Sequence, residues 1–339
     1  MLVLAAWPPL FSPQAEYMVD IAHTPQAGAG SIRMQSAGEA SLLRRIWQAK
    51  RYYLYLVPIF VLLGVFSYYP PLMALYYSIS NFNGVQLRVI GLDNFIDLFQ
   101  DRLFLTSTGN VLKLLVANVL TGLLPPLLAA ELLFYIRSQR AANFYRTMFL
   151  IPTLVPAMVV ILTWRYIYHA RYGLINTFLS AIGLDFLQTD WLGSFDTALL
   201  SLMFFGFPWI HGASLLILLA ALLNIPGEVL DSYRLDAGWG IRRIWHIDLP
   251  LILGAVRLVV VLAIINTLQG LTLQFALTGG GPGNATMVPA YYMYREAFFN
   301  SRFGYASAIG VVLFLVVLGA TFLNLRFVRS DVEYEPDAG

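Results

Sequence analysis

The chain has 339 residues, 58% of them hydrophobic and only 12% charged, with a mean hydropathy of +0.68. A soluble domain carries roughly 25% charged residues, so this composition excludes the soluble globular class and marks an integral membrane protein. The absence of cysteine excludes disulfides, thiolate metal sites and cysteine nucleophiles, and a net charge of +2 is too small to recruit nucleic acid.

Residues 1–50 stand apart. Pro8, Pro9, Pro13, Pro25 and the glycines at 28 and 30 interrupt any helix, and the apolar runs are too short to span a bilayer. This region is expected to be a mostly disordered cytoplasmic tail, or the product of an over-extended start site. Its end, Leu42 to Arg51, reads as a basic interfacial helix leading into the membrane.

Six apolar stretches follow, near 53–78, 110–136, 145–168, 197–223, 251–277 and 304–326. Each approaches the ~20 residues that cross a hydrocarbon core. Pro58, Pro70, Pro71, Pro125, Pro126, Pro152, Pro156 and Pro208 fall inside them, where neighbouring helices or a wet cavity must satisfy the freed backbone groups. The fold class is therefore an all-α polytopic membrane protein of six transmembrane helices.

Basic residues set the orientation. With the N-terminus inside, the inner side receives Arg33, Arg44, Arg45, Lys50, Arg51, Arg137, Arg140, Arg146, Arg234, Arg242, Arg243, Arg326 and Arg329. The outer side receives Arg88, Arg102, Arg171, Arg295 and Arg302. Thirteen against five places both termini in the cytoplasm, with an acidic tail at 330–339 and an inner loop at 224–250. The outer loops include a short predicted helix within 79–109 and a turn at Gly279-Gly280-Gly281-Pro282-Gly283.

Catalytic signatures do not appear. Neither Lys50 nor Lys113 follows a glycine, so no phosphate-binding loop is formed and any ATP and magnesium belong to other subunits. No Gly-x-Ser-x-Gly elbow or His-Glu-x-x-His helix occurs, and His23, His169, His211 and His246 are far apart. No metal site and no bound cofactor are expected.

Polar side chains inside apolar spans are costly unless they face protein or water. Trp209, His211 and Ser214 sit near the middle of the fourth span, and Asn266, Gln269, Thr272 and Gln274 recur along the fifth. Indole faces with amides and hydroxyls suit a neutral polyol, and these seven are the candidate pathway residues. Interhelical hydrogen bonding is the competing role for any one of them. Glu131 and Arg257 are expected to snorkel or pair near the inner ends of their spans.

The stretch IPGEVLDSYRLDAGWGIRRIWHIDLP, residues 225–250, concentrates the charge. Gly227 to Asp236 predicts a short helix after Pro226, with Glu228 and Asp231 complementing its dipole and Gly238 ending it. Val229, Leu230, Tyr233 and Leu235 supply an apolar side for a partner's groove. A second run from Ile241 to Ile247 leads into the fifth span.

The same stretch resembles the EAA loop of binding-protein-dependent ABC importer permeases: Glu-Ala-Ala, three residues, Gly, nine residues, Ile-x-Leu-Pro. Asp231-Ser232-Tyr233 stand in the Glu-Ala-Ala place, Ala237 in the Gly place, and Ile247-x-Leu249-Pro250 match at the correct spacing. Gly91, Asn94, Phe95, Tyr145-Arg146-Thr147, Trp164, Gly173 to Asn176, and Leu277-Thr278-Gly279-Gly280-Gly281-Pro282 resemble the carbohydrate-uptake branch of maltose, lactose and glycerol-phosphate type permeases.

The resemblance covers 52–329 and implies a type I importer fold in a bacterial or archaeal inner membrane. It implies a second permease subunit, two cytoplasmic ATPase subunits and an extracytoplasmic solute-binding protein as partners beside membrane lipid. The cargo implied is a sugar, oligosaccharide or polyol phosphate. Glu228, Asp231, Ser232, Tyr233, Asp236, Gly238, Ile247, Leu249 and Pro250 are the implied coupling residues. Ser232-Tyr233 in place of two alanines and Leu271-Thr272 in place of a common Phe-Asp pair are departures, and imply asymmetric coupling with a more typical loop on the partner permease. A same-fold permease for a non-sugar solute such as a polyamine is the alternative. A membrane enzyme or sensor would need a convergent catalytic set.

Overall fold

The computed structural model describes residues 50–236 and 241–327. The tail ahead of residue 50, Ala237, Gly238 and the tail at 330–339 lie outside the described residues. The chain divides into two units, Met1–Phe60 and Val61–Gly339. Of the first, residues 50–60 are described, and they form the opening turns of α1 (Lys50–Leu63).

In the second unit, a π-helical stretch Gly64–Tyr68 leads into α2 (Tyr69–Ser78), whose Pro70 and Pro71 remove two backbone donors where the helix passes from π to α. A loop with one antiparallel bridge, Ser80 to Val89, precedes α3 (Asp93–Gln100), the short helix expected there. Asn94 is buried beneath this loop and donates to the carbonyls of Ser78 and Ser80 at 2.9 and 2.8 Å. The predicted second span is longer than the apolar run suggests. Its helix, α4 (Arg102–Phe134), starts where the Asp101 carboxylate accepts from the N–H groups of Leu103 and Phe104.

The third predicted span is not one helix. It is α5 (Gln139–Leu150), a 3₁₀ turn Ile151–Leu154 and α6 (Ala157–Ile167), with a bend of 87° at the break. The prolines explain it, because Pro152 and Pro156 each remove a backbone donor. α7 (Leu174–Ala181) lies in the following loop. The fourth predicted span is likewise divided, into α8 (Ala198–Phe204) and α9 (Gly212–Leu223) with non-helical backbone between them.

α10 (Gly227–Asp236) follows a 76° bend, and α11 (Ile241–Arg243), a π-helical stretch Ile244–Asp248 and α12 (Leu249–Leu251) lead into α13 (Leu253–Gln269) through a bend of 69°. Gly270 then breaks the fifth span before α14 (Thr272–Leu277). The chain ends in α15 (Pro289–Phe298) and α16 (Phe303–Phe327). Among the described residues three helices are long and apolar enough to cross a membrane, and up to six spans result if each bent pair counts as one.

The long helix α4 is the axis of this unit, packing on α8, α9, α13 and α15. Gly122 faces the Cβ of Ala263 on α13, and a methyl added there would sit in ordinary contact at 3.7 Å. Two apolar cores result. One gathers Leu98, Phe104, Met287, Tyr291, Tyr292, Tyr305 and Ile309, and the other gathers Ala130, Leu133, Leu215, Leu218, Leu222, Ile225 and Ile252. Large apolar side chains such as Phe66, Leu132, Phe314 and Phe322 remain exposed on the helices, as expected where lipid is the solvent.

Candidate functional site

The interruption at 205–211 shapes the site. Gly206 takes φ +80° and Trp209 takes φ +58°, and the Phe207–Pro208 peptide is cis. Short local bonds hold the turn: Trp209 N–H donates to Gly206 at 2.8 Å, and His211 N–H to Trp209 at 3.0 Å. Irregular backbone within a span is tolerated where it is buried in protein or lines a wet cavity.

This segment does line a cavity, of about 420 Å³. Asn118, Thr121 and Gly122 of α4 form one wall, and Val259, Leu262, Ala263, Asn266 and Thr267 of α13 the facing one. Phe205, Trp209 and His211 of the break and Ser214 and Ile217 of α9 complete it. Asn118 donates to the Thr267 hydroxyl at 3.1 Å, joining the two walls. The Trp209 ring is wedged by Phe204 and Phe207, with centroids 5.4 and 5.0 Å away, and its indole N–H is buried without an acceptor among the described residues. A buried unpaired donor is costly, and here it belongs to a cavity-lining ring.

Four of the seven pathway candidates therefore meet: Trp209, His211, Ser214 and Asn266. Gln269, Thr272 and Gln274 do not line this cavity. Gln269 and Thr272 are exposed around the break at Gly270. Gln274 is buried, and its backbone carbonyl accepts from Gly279 at 2.8 Å, anchoring the glycine turn. Asn118, Thr121 and Thr267 are lining residues that the sequence reading passed over. Their signal was present: 118, 121 and 122 share a helix face at i, i+3 and i+4.

The segment 224–250 is a second feature. α10 forms over Gly227–Asp236, with Glu228, Asp231 and Ser232 exposed and Tyr233 half-buried. Leu230 is a correction: it packs on the chain's own core beside Ile225 rather than on a free apolar side. In the second run Ile247 and Leu249 are half-buried and Pro250 is exposed. Behind them Arg243 is 3% exposed, and its Nε donates to the Asp248 carboxylate oxygens at 3.1 and 2.9 Å. Glu131 does not snorkel, since it is 3% exposed and neither oxygen has a hydrogen-bond partner among the described residues.

A third cluster lies at the other end of α4. Asp101 accepts from the hydroxyls of Tyr292 and Tyr305 at 2.6 and 2.7 Å. Burial opposes ionisation of Asp101, but these hydroxyls and the N–H groups of Leu103 and Phe104 outweigh it and hold the carboxyl below the usual range. Tyr292 is pushed up, by burial first and then by its bond to Asp101. Asn110 donates to the carbonyl of Met287 at 3.0 Å, and the Thr278 and Thr286 hydroxyls meet at 2.7 Å across the glycine turn.

Broken spans around a cavity of mixed polar and apolar lining, beside a charged helical segment, define a polytopic membrane transport subunit. No family model matches the chain. It is 30% identical over 283 residues to the probable ABC transporter permease protein YurN of Bacillus subtilis (strain 168), covering 83% of this chain and 97% of that protein. Identity to the sn-glycerol-3-phosphate transport system permease protein UgpA of Escherichia coli O157:H7 is 31% over 287 residues, covering 84% and 95%. Identity to the multiple sugar-binding transport system permease protein MsmF of Streptococcus mutans serotype c is 27% over 277 residues, covering 81% and 93%. The fold is that of a crystallised bacterial ABC transporter involved in the import of the acidic polysaccharide alginate, with a TM-score of 0.73 and 23% identity over 85% of this chain and 99% of that one.

The chain belongs to the permease subunits of ABC transporters, of the carbohydrate-uptake type. It is a multi-pass inner-membrane protein and a transport subunit, and ATP is bound and hydrolysed by separate ATPase subunits.

Proposed function

We propose that this permease forms one half of the translocation pathway for an uncharged sugar or oligosaccharide, with the cavity at 205–211 as its substrate-facing surface. The observation that carries this is the polar part of the lining: one indole, one imidazole, two amides and three hydroxyls set among apolar residues, with no carboxylate, lysine or arginine. An indole face stacks on a sugar's C–H surface while the amides exchange hydrogen bonds with its hydroxyls. A polyamine would call for carboxylates and a polyol phosphate for a cation, and this half of the pathway supplies neither. Polyol phosphate remains the second reading because a relative at 31% identity is named for glycerol 3-phosphate.

The complete importer on this reading pairs the chain with a second permease, two cytoplasmic ATPase subunits and an extracytoplasmic binding protein. A solved structure of the alginate transporter is a complex with an alginate pentasaccharide-bound periplasmic protein, which supports the last of these partners. Residues 52–329 form the permease domain, with six spans and both termini cytoplasmic. The basic residues support that orientation. The loop 224–250 docks on an ATPase through Glu228, Asp231, Ser232, Tyr233 and Asp236, with Ile247, Leu249 and Pro250 carrying motion into α13.

The test is reconstitution of the full complex in proteoliposomes with its binding protein. ATPase activity stimulated by binding protein loaded with a neutral sugar is expected. Stimulation by a polyol phosphate alone selects the second reading, and stimulation by a polyamine overturns the carbohydrate assignment.

A further inference from the structure

Arg243, Asp248 and Glu131 form a buried charge cluster where the 224–250 segment meets the end of α4. Arg243 and Asp248 belong to the segment, and their ion pair is fully withdrawn from solvent. The Arg243 guanidinium also lies over the rings of Phe134 and Tyr135, 5.1 and 4.8 Å from their centroids, so it touches the residues that close α4. Its Nη2 is buried and has no acceptor among the described residues. Glu131 is one turn earlier on the same helix face as Tyr135, within electrostatic reach of both Asp248 and Arg243, and both its oxygens are buried without a donor among the described residues.

One cation and two carboxylates thus share this buried space, and the donor left over on Arg243 has the chemistry the empty carboxylate lacks. Each orphaned buried group is unfavourable by itself. A static structural ion pair needs only Asp248, and an apolar residue at 131 would pack better than an unpaired acid. Glu131 makes sense in an arrangement where the cation is shared between two positions, as bistable interfaces require.

We propose that Glu131 is the second seat of a charge latch, with Arg243 exchanging from Asp248 to Glu131 when the 224–250 segment shifts against α4. The proposal rests on the reading that this segment is the ATPase-driven element. Glu131 is then a positioning residue for transport. The same helix carries Asn118 into the cavity wall, 13 residues away and so about 20 Å along the axis. α4 runs unbroken between the two positions, with Pro125 and Pro126 inside it, so a displacement received at Glu131 passes along one helix to the substrate surface.

The chain contains no cysteine, so introduced thiols are unambiguous. Spin labels at Leu128→Cys on α4 and Trp245→Cys in the segment, both exposed positions, report their separation in the assembled transporter with cysteine-free partners. Distances are compared without nucleotide and with ATP and vanadate, alongside sugar transported per ATP hydrolysed.

The labelled parent is expected to change distance with nucleotide. Glu131→Gln is expected to hold the nucleotide-free distance in both conditions and to lose at least fivefold in transport per ATP. Asp248→Asn is expected to populate the trapped distance without nucleotide, and Glu131→Asp to restore most of the parent behaviour. Glu131→Asp carries the test if the glutamine variant accumulates poorly, since a shorter acid must still support the exchange. The latch is overturned if Glu131→Gln shifts like the parent with transport per ATP within twofold. It is also overturned if Glu131→Leu raises Tm and leaves that ratio unchanged. No nucleotide-dependent change in the parent removes the coupling reading and the latch together, whereas a parent change that survives Glu131→Gln removes the latch alone.

Discussion

Tyr292 donates to Asp101 at 2.6 Å across 191 residues of sequence, and Tyr305 donates to the same oxygen at 2.7 Å. One carboxylate therefore caps α4 and ties α15 and α16 to it. The Asp101 carboxyl titrates below its ordinary value, so its contribution is fully present above the unfolded value of 3.8 and is lost as pH falls through the lowered folded value. Asp101→Asn keeps a capping oxygen but loses the charge, and should cost about 1–2 kcal/mol, discounted for partial solvent exposure. Thermal unfolding in detergent checks it: the wild-type advantage in Tm at pH 7 should shrink below pH 3.8, and a gap that widens on acidification would contradict the assignment.

The cavity separates two groups of candidate residues. Trp209→Ala should lower sugar uptake about tenfold, the effect of losing ~1.4 kcal/mol of contact. Trp209→Phe keeps a ring without the N–H donor and should retain more. Asn266→Ala should follow Trp209→Ala, while Gln269→Ala, outside the cavity, should stay within twofold of wild type in labelled-sugar uptake. Equal losses at 266 and 269 would place the pathway elsewhere on α13.

Two glycines make opposite demands. A methyl on Gly304 would run into the carbonyl oxygen of Ser80 and approach the nitrogen of Phe82 to 2.9 Å, and its own N–H donates to the Phe82 carbonyl. Neither neighbour is a side chain that can swing away. Gly304→Ala should cost about 1–3 kcal/mol by overpacking. Gly109 lies inside α4 with nothing within 4 Å of a built Cβ, and Gly109→Ala should gain about 0.5–1 kcal/mol from reduced backbone entropy. Detergent Tm values for the two variants should move in opposite directions.

On α10 Glu228 is exposed in the first turn, where its main role in the fold is to complement the helix dipole, so Glu228→Lys should lower stability by no more than about 1 kcal/mol. If the segment docks on an ATPase, the same variant should reduce binding-protein-stimulated ATP hydrolysis at least threefold. Rebuilding Glu-Ala-Ala over Asp231, Ser232 and Tyr233 should raise sugar transported per ATP. An unchanged ratio would mean that the departures at these positions do not weaken coupling.

Apolar content, proline placement and the Ile247-x-Leu249-Pro250 spacing marked a membrane permease from the sequence alone, because hydropathy is a sum of local transfer energies that each residue contributes wherever it lies. α3 and α10 were legible for a similar reason, their limits being written in nearby Gly, Pro and Asp residues. The division of the third and fourth predicted spans was not legible. Prolines announce a weak point, but whether the helix kinks or unwinds depends on what receives the freed backbone groups, and at 205–211 short bonds within the turn do so beside a cavity between α4, α9 and α13. The same dependence sorted the polar residues. Asn266 and Gln269 are alike by composition and depth, yet only the rotation of α13 against α4 puts Asn266 on the cavity. Glu131 shows it most sharply: its side chain is long enough to reach water from the end of a span, and the packing of α9 and α13 against α4 leaves it buried beside Arg243. Sequence determined what must be withdrawn from water, and tertiary structure decided which groups each withdrawn atom would face.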